Sequence, residues 1–357
     1  MQIDSARRNN FDALRVAAAL SVLVSHQHAL SGLPEPSAFR VHSLGGLGVV
    51  VFFCISGFLV AQSWQADPHF GRFALRRLLR IWPGLAVVVL LSALVLGPLV
   101  STLPPSEYFS DPNFTKYMGN LRFDLFDQLP LFFVGNVMPT AINGSLWTIP
   151  AELKCYLLLA VAGLTGLLRS RWLLVALLLA VLAIYLAPAP LADGWFSTNH
   201  WTHKRRLPLE FGLFFFAGTA LHACRVHESR HRMRLALGVS WLLGLTALAA
   251  SQPLLALWLT APITVLAIGL ASTPYLREAG RFGDLSYGLY IYAFPVQQTL
   301  IWAFRDRLPW TAILGLTLCT VFLLAFASWH LVEKRALRLK PGRRPTAPSL
   351  ARPMALP

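Results

Sequence analysis

GGLGVVVFFCISGFLVAQSW, residues 45–64, contains neither a charged residue nor a proline. At about 1.5 Å of rise per residue, a helix of this length covers the ~30 Å hydrocarbon core of a bilayer. A helix apolar on every side belongs in a core or a membrane, and so long a run reads as a membrane span. Gly45, Gly46, Gly48, Ser56 and Gly57 are small and allow close helix approach. Packing explains all of them except Ser56, which is also a candidate functional hydroxyl.

Comparable runs recur along the chain. Ten candidate spans are centred on 14–31, 45–64, 82–100, 146–168, 172–188, 207–224, 235–250, 253–271, 284–304 and 309–332. The composition agrees: 55% of residues are hydrophobic and 13% charged. A soluble domain carries about a quarter charged residues, so a soluble enzyme, a disordered chain, collagen and a coiled coil are excluded. The expected fold class is all-α: a polytopic membrane protein built as a bundle of about ten transmembrane helices. The membrane domain is expected over 1–338. The stretch 339–357 reads as a basic, Pro-rich, disordered cytoplasmic tail.

The net charge of +15 does not point to nucleic acid, because the basic residues lie in alternate connections. With the N-terminus inside, 21 Lys and Arg fall on the cytoplasmic side and 8 outside. This bias places both termini in the cytoplasm. The first run follows Arg7 and Arg8 like a signal peptide, but Arg15 and the stretch Ser25–His28 make it a retained helix. The connection 101–144 reads as an outer loop packed on the bundle, with a short re-entrant piece at Leu129–Val134. Cys54, Cys155, Cys224 and Cys319 sit in apolar runs without a CxxC pair, so free thiols are expected, with no disulfide and no metal site.

Ionisable groups inside spans cost about 2.5–3.5 kcal/mol each on insertion scales, so each needs a partner or a function. Arg15 and His26 are separated by three helical turns and project from one face, roughly 16 Å apart along the axis. Asp12, three residues before Arg15, can pair with it. Taken alone, His26 reads as an interfacial histidine; the face shared with a buried arginine moves it towards function. His28 lies about 200° round the helix from His26. In RFALRRLLRIWP, residues 72–83, Arg77 and Arg80 share a face and suit a phosphate, which arginine grips bidentately; lipid headgroups are the alternative. NGSLWTIPAELKCY, residues 143–156, opens a helix capped by Asn143 or Ser145. There Glu152 and Tyr156 share a face, and Glu152 needs a partner from another helix. DLSYGLYIYAFPVQQ, residues 284–298, adds Ser286, Tyr287, Tyr290, Tyr292 and a kinking Pro295. Glu333 closes the last span.

FDALRVAAALSVLVSH, GGLGVVVFFCISGFL, RRLLRIWP, SLWTIPAELKCY, LSYGLYIYAFP and HLVEKRALR together resemble the membrane-bound acyltransferase-3 family, in family order over about residues 10–338. The resemblance implies O-acylation of a carbohydrate hydroxyl using cytoplasmic acyl-CoA, acetyl-CoA by default, in a bacterial cytoplasmic (inner) membrane. By its motifs His26, Arg15 and Glu152 are the catalytic set, and Arg77 and Arg80 bind the donor. Asp12, Ser56, Trp147 and Tyr290 are assigned to substrate binding. His26 acts as base or acyl carrier. Acyl-CoA is a co-substrate, with no permanent cofactor and no metal. The expected partners are acyl-CoA, a carbohydrate acceptor and membrane lipids, with nucleic acid excluded and self-association left open. Two departures stand out: Ala293 replaces a histidine common in the ninth-helix motif, and Glu333 lacks the usual following proline. No appended hydrolase-like domain is expected. A transporter or flippase of a glycan intermediate is the alternative, since it too buries charge along a pathway.

Overall fold

The computed structural model describes residues 9–38, 41–130, 133–186 and 200–342. Arg7, Arg8 and the tail from 343 onwards lie outside the described residues, as do 131–132 of the expected re-entrant piece. Helices cover all ten expected segments: α1 Phe11–Leu30, α2 Leu44–Ala66, α3 Phe70–Leu91, α4 Thr148–Leu164, α5 Arg171–Leu186, α6 His200–Ala223, α7 Arg230–Ala249, α8 Pro253–Leu270, α9 Ser286–Phe304 and α10 Trp310–Ser328. A π-helical turn, Ser92–Leu96, carries α3 on to Val100, and another, Trp329–Glu333, carries α10 on to Leu337. Six of the helices described are long and apolar enough to cross a membrane: α2, extended α3, α4 with its leading turn, α7, α8 and extended α10. α5 and Leu207–Ala223 of α6 are apolar but shorter. α1 and α9 are long enough but carry the polar residues of the site.

The bundle is organised around α2, which packs against α1 on one side and α6 on the other. The expected role of its glycines holds. A Cβ on Gly57 would lie 1.8 Å from the Phe215 carbonyl oxygen, and one on Gly218 of α6 would lie 2.3 Å from that of Cys54. The two glycines face each other across one crossing, so the backbones themselves are in contact. Gly48 does the same against α1, where a Cβ would meet the Ala18 carbonyl oxygen at 2.5 Å.

The connection 101–144 packs on the end of α3. It contains the short helices Pro105–Ser110 and Pro112–Met118, whose Tyr108 and Tyr117 are fully buried. Tyr108 donates to the carbonyl of Ala93 within the first π turn at 2.9 Å. A π turn shifts the backbone hydrogen bonding out of α register, and the phenol takes up one of its carbonyls. At the same end of the bundle His42, Glu210 and Tyr185 link the segment leading into α2 with α6 and α5, Glu210 accepting from Tyr185 at 2.5 Å and contacting His42 at 2.7 Å. At the opposite end Asp67 joins α2 to α3 through Arg72 and Arg76. Hydrogen bonds from Arg72, then Arg76, hold its carboxyl well below the usual carboxylate range, so this clamp stays ionised in mild acid. All four cysteines are free.

Gly57→Ala is expected to destabilise the bundle by about 1–3 kcal/mol, the usual cost of overpacking against backbone. Gly315→Ala, with open space around the new methyl, should leave stability unchanged or raise it by up to about 1 kcal/mol through helix propensity. Thermal unfolding of the purified proteins in detergent compares the two.

Candidate functional site

Pro295 has no N–H to offer the carbonyl one turn earlier. That carbonyl, of Ile291, accepts instead from Asn143 Nδ2 at 2.8 Å, while Asn143 Oδ1 accepts from the Ser145 N–H at 3.2 Å. The carbonyl freed in α9 thus fixes the turn that opens α4, and of the two expected caps it is Asn143 that acts. Beside it, Tyr290 donates to the Ser145 carbonyl at 2.9 Å and contacts the Thr148 hydroxyl at 2.8 Å.

Below this point α1, α2, α3, α4 and α9 enclose a cavity of about 120 Å³. Its polar lining includes Arg15, Ser56, Arg77, Arg80, Glu152 and Tyr290. Larger recesses exist elsewhere, so size does not mark this one; the convergence of charged groups from three helices and hydroxyls from two more does. Glu152 finds its interhelical partner in Ser56, whose hydroxyl donates to Oε1 at 2.7 Å. Tyr156 donates to the same oxygen and lies 3.2 Å from Ser56.

The two arginines of the RxxR pair are placed differently. Arg80 contacts Asp284 at 2.5 Å and Glu333 at 3.9 Å. Asp284 also faces Arg15 at 3.7 Å, and Asp12 pairs with Arg15 at 3.4 Å, as expected from their spacing. Among the described residues Arg77 forms no ion pair. Its guanidinium lies 5.8 Å from the Tyr156 ring and 5.9 Å from that of Phe73, and its Nε is buried without a partner. Arg80 is thus neutralised and fixed, while Arg77 keeps its charge available. Lys340 adds to the positive field: burial, then Arg77, Arg80 and Arg76, push its ammonium down to about 8.

His26 is not among the residues lining the cavity. It sits further along, its ring edge-on to Phe294 at 5.3 Å, one turn beyond Tyr290 on α9. Its Nδ1 is buried without a hydrogen bond. His28 faces elsewhere, as its angular position requires: its Nδ1 pairs with the Val24 carbonyl and its ring meets Trp310. Trp147 also lies outside the cavity, lining a separate recess of about 510 Å³ with Asp127, Asn143 and Lys154.

Three residues that the motifs did not single out complete the region. Asp284 bridges two arginines and accepts from the Ser286 hydroxyl at 2.6 Å. Gln297 ties α9 to α1 next to His26, donating to the Leu23 carbonyl at 2.7 Å and to Gln27 at 2.9 Å. Glu35 accepts from Ser25, the neighbour of His26. Charge balance was the available signal for Asp284: three half-buried arginines require carboxylates, and the chain has only 16 acidic residues. Glu333, whose role the sequence left open, is 2% exposed, reaches Arg80, and accepts from Ser328 at 2.9 Å. Among the described residues no three His, Cys, Asp or Glu side chains group as metal ligands.

Residues 8–330 match the acyltransferase domain of the acyltransferase-3 family. The chain belongs to that family. It is similar to the O-acetyl transferase of Shigella phage Sf6, with 34% identity over 336 residues, covering 93% of this chain and 96% of the relative. Nodulation protein 10 of Rhizobium leguminosarum bv. viciae is 30% identical over 365 residues, covering 94% of this chain and 95% of its own length. The regulator of hypoxia-inducible factor 1 of Caenorhabditis elegans is 28% identical over 43% of this chain and 33% of its own. No solved structure matches. The acyltransferase is thus a nearly all-helical membrane protein with a cavity that gathers Arg15, Arg77, Arg80, Ser56 and Glu152.

Asp284→Ala should cost about 3 kcal/mol, because it leaves Arg15 and Arg80 facing each other without their shared anion. Asp12→Ala, which removes a carboxylate 44% exposed, should cost less than about 1 kcal/mol. Melting temperatures of the two variants in one detergent provide the comparison.

Proposed function

We propose that the protein is an O-acetyltransferase of a bacterial cytoplasmic membrane, with ten crossings and both termini inside. In this reading it moves acetyl from acetyl-CoA to a hydroxyl of a cell-surface polysaccharide or lipid-linked sugar. The observation that carries the reading is the cavity in which the guanidinium of Arg77, without an ion-pair partner, meets the Glu152–Ser56–Tyr156 cluster, within a chain that aligns over 93% of its length with an O-acetyl transferase.

Arg77, supported by the field of Arg76, Arg80 and Lys340, receives the phosphates of the donor. Arg80 acts mainly by positioning: with Asp284 it fixes Arg15 beside the path of the thioester. The unpaired nitrogen of His26 is the base. It accepts the proton of the acceptor hydroxyl, the alkoxide oxygen attacks the thioester carbonyl, and the CoA thiolate departs and takes up a proton. Because His26 lies outside the cavity that holds Arg77, a two-step route fits equally: the imidazole takes the acetyl from CoA and then passes it to the sugar. The recess at Trp147, with Asp127 and Asn143 beside an aromatic face, suits a sugar acceptor on the outer side.

The deciding assay is acetyl-CoA-dependent CoA release by purified protein in nanodiscs, which a flippase does not perform. His26→Ala should lower transfer about 100-fold or more, the usual share of a general base, while donor binding persists. His28→Ala should keep most activity; equal activity of wild type and His26→Ala, with insertion confirmed, defeats the mechanism.

Lys340 gives the donor site a pH dependence. A bound polyanion favours the charged ammonium, so binding near pH 8 takes up protons and affinity declines as pH rises past about 8. Calorimetric titration of CoA in buffers of different ionisation enthalpy should show this uptake in the wild type and lose it in Lys340→Gln. Arg77→Ala should weaken CoA binding by about 1.5–3 kcal/mol at every pH.

A further inference from the structure

A second recess, of about 800 Å³, opens at the arginine-bearing end of the bundle, where α2, α4 and α6 end and α5 begins. Its polar lining includes Gln65, Arg169, Arg171, His222 and Arg225, with Trp64 and Trp172 supplying aromatic surface. It shares no lining residue with the cavity at Arg77 and Glu152, from which the Val60–Ala61 turn of α2 divides it. No carboxylate lines it among the described residues.

Its charge is available. Arg169 and Arg171 enter no ion pair among the described residues, and Arg171 lies 5.1 Å from the Trp172 ring. Arg225 is partly engaged by Glu228 at 2.8 Å. Behind them His222 is 8% exposed and donates from Nε2 to the Gln65 amide oxygen at 2.7 Å. Its other ring nitrogen, Nδ1, is buried with no hydrogen-bond partner. Neutral imidazole that donates from one nitrogen accepts at the other, so the recess lacks one donor. Such an orphaned acceptor costs free energy unless a ligand supplies the hydrogen.

We propose that this recess binds a phosphate ester carrying a neighbouring hydroxyl. The phosphate oxygens meet the forks of Arg169 and Arg171, and the hydroxyl donates to His222 Nδ1. Two sources share this chemistry. One is the phosphoglycerol headgroup of an anionic phospholipid, favoured by Trp172, 70% exposed at the end of an apolar bundle, because basic pockets between spans capture such headgroups. The other is the ribose-phosphate end of a nucleotide. Only the nucleotide source rests on the acetyl-CoA reading; the lipid source stands without it.

The test uses the full chain, delipidated in detergent, with three probes: short-chain phosphatidylglycerol, short-chain phosphatidylcholine and adenosine 3′,5′-bisphosphate. Native mass spectrometry and tryptophan fluorescence read the binding. Phosphatidylglycerol or the bisphosphate should bind at least tenfold more tightly than phosphatidylcholine, whose headgroup has no hydroxyl. The double variant Arg169→Gln/Arg171→Gln should lose at least tenfold for the preferred probe. Should that variant be unstable, Arg171→Lys, which keeps charge but loses the fork, should show a smaller loss of the same sign. Whichever probe is preferred names the source. Equal binding of all three probes, or affinities unchanged in the arginine variants, overturns the proposal.

Discussion

Two guanidiniums from different helices, Arg15 on α1 and Arg80 on α3, sit together inside an apolar bundle because one carboxylate lies between them. Asp284, at the approach to α9, contacts Arg80 at 2.5 Å and Arg15 at 3.7 Å. Burying like charges side by side is costly in a medium of low dielectric, and a shared counter-ion converts that cost into a positional constraint. Three helices are thereby held in one register at the mouth of the cavity. Glu333, brought to Arg80 by the π turn at the end of α10, extends the constraint to a fourth.

That constraint separates the roles of two arginines on one helical face. Arg80 is neutralised by carboxylates, whereas Arg77, three residues earlier, rests among aromatic rings. A guanidinium facing π surfaces stays weakly solvated and uncommitted to a carboxylate. The RxxR spacing thus combines one cation fixed by carboxylates with one that has no carboxylate partner among the described residues.

The second organising feature is the backbone contact of α2 with α6 and α1. Gly57 and Gly218 let α2 and α6 touch, and Ser56, adjacent to Gly57, is thereby carried onto Glu152 of α4. Packing and chemistry are inseparable at this point in α2, since any side chain that parts the helices also moves the hydroxyl. In α9, Pro295 frees a carbonyl that Asn143 collects, and this sets the turn leading into α4, the helix that carries Glu152.

The sequence by itself determined the helical segments, because a run of apolar residues long enough to span a bilayer is a local property. It also determined pairs lying on one helix: Asp12 with Arg15, Glu152 with Tyr156, and the divergence of His26 from His28, all of which follow from helical periodicity. The ordered motifs determined the family. Contacts between helices were beyond its reach, since a spacing along one helix says nothing about which neighbour faces it. Only the tertiary structure decided that Glu152 meets Ser56 across 96 positions, and that Asp284, rather than Asp12 alone, balances Arg15. It also decided that Arg77 is free where Arg80 is bound, and that His26 lies beyond the cavity its arginines line. Each of these depends on which buried charge found its counter-ion, a choice made by packing and not by periodicity.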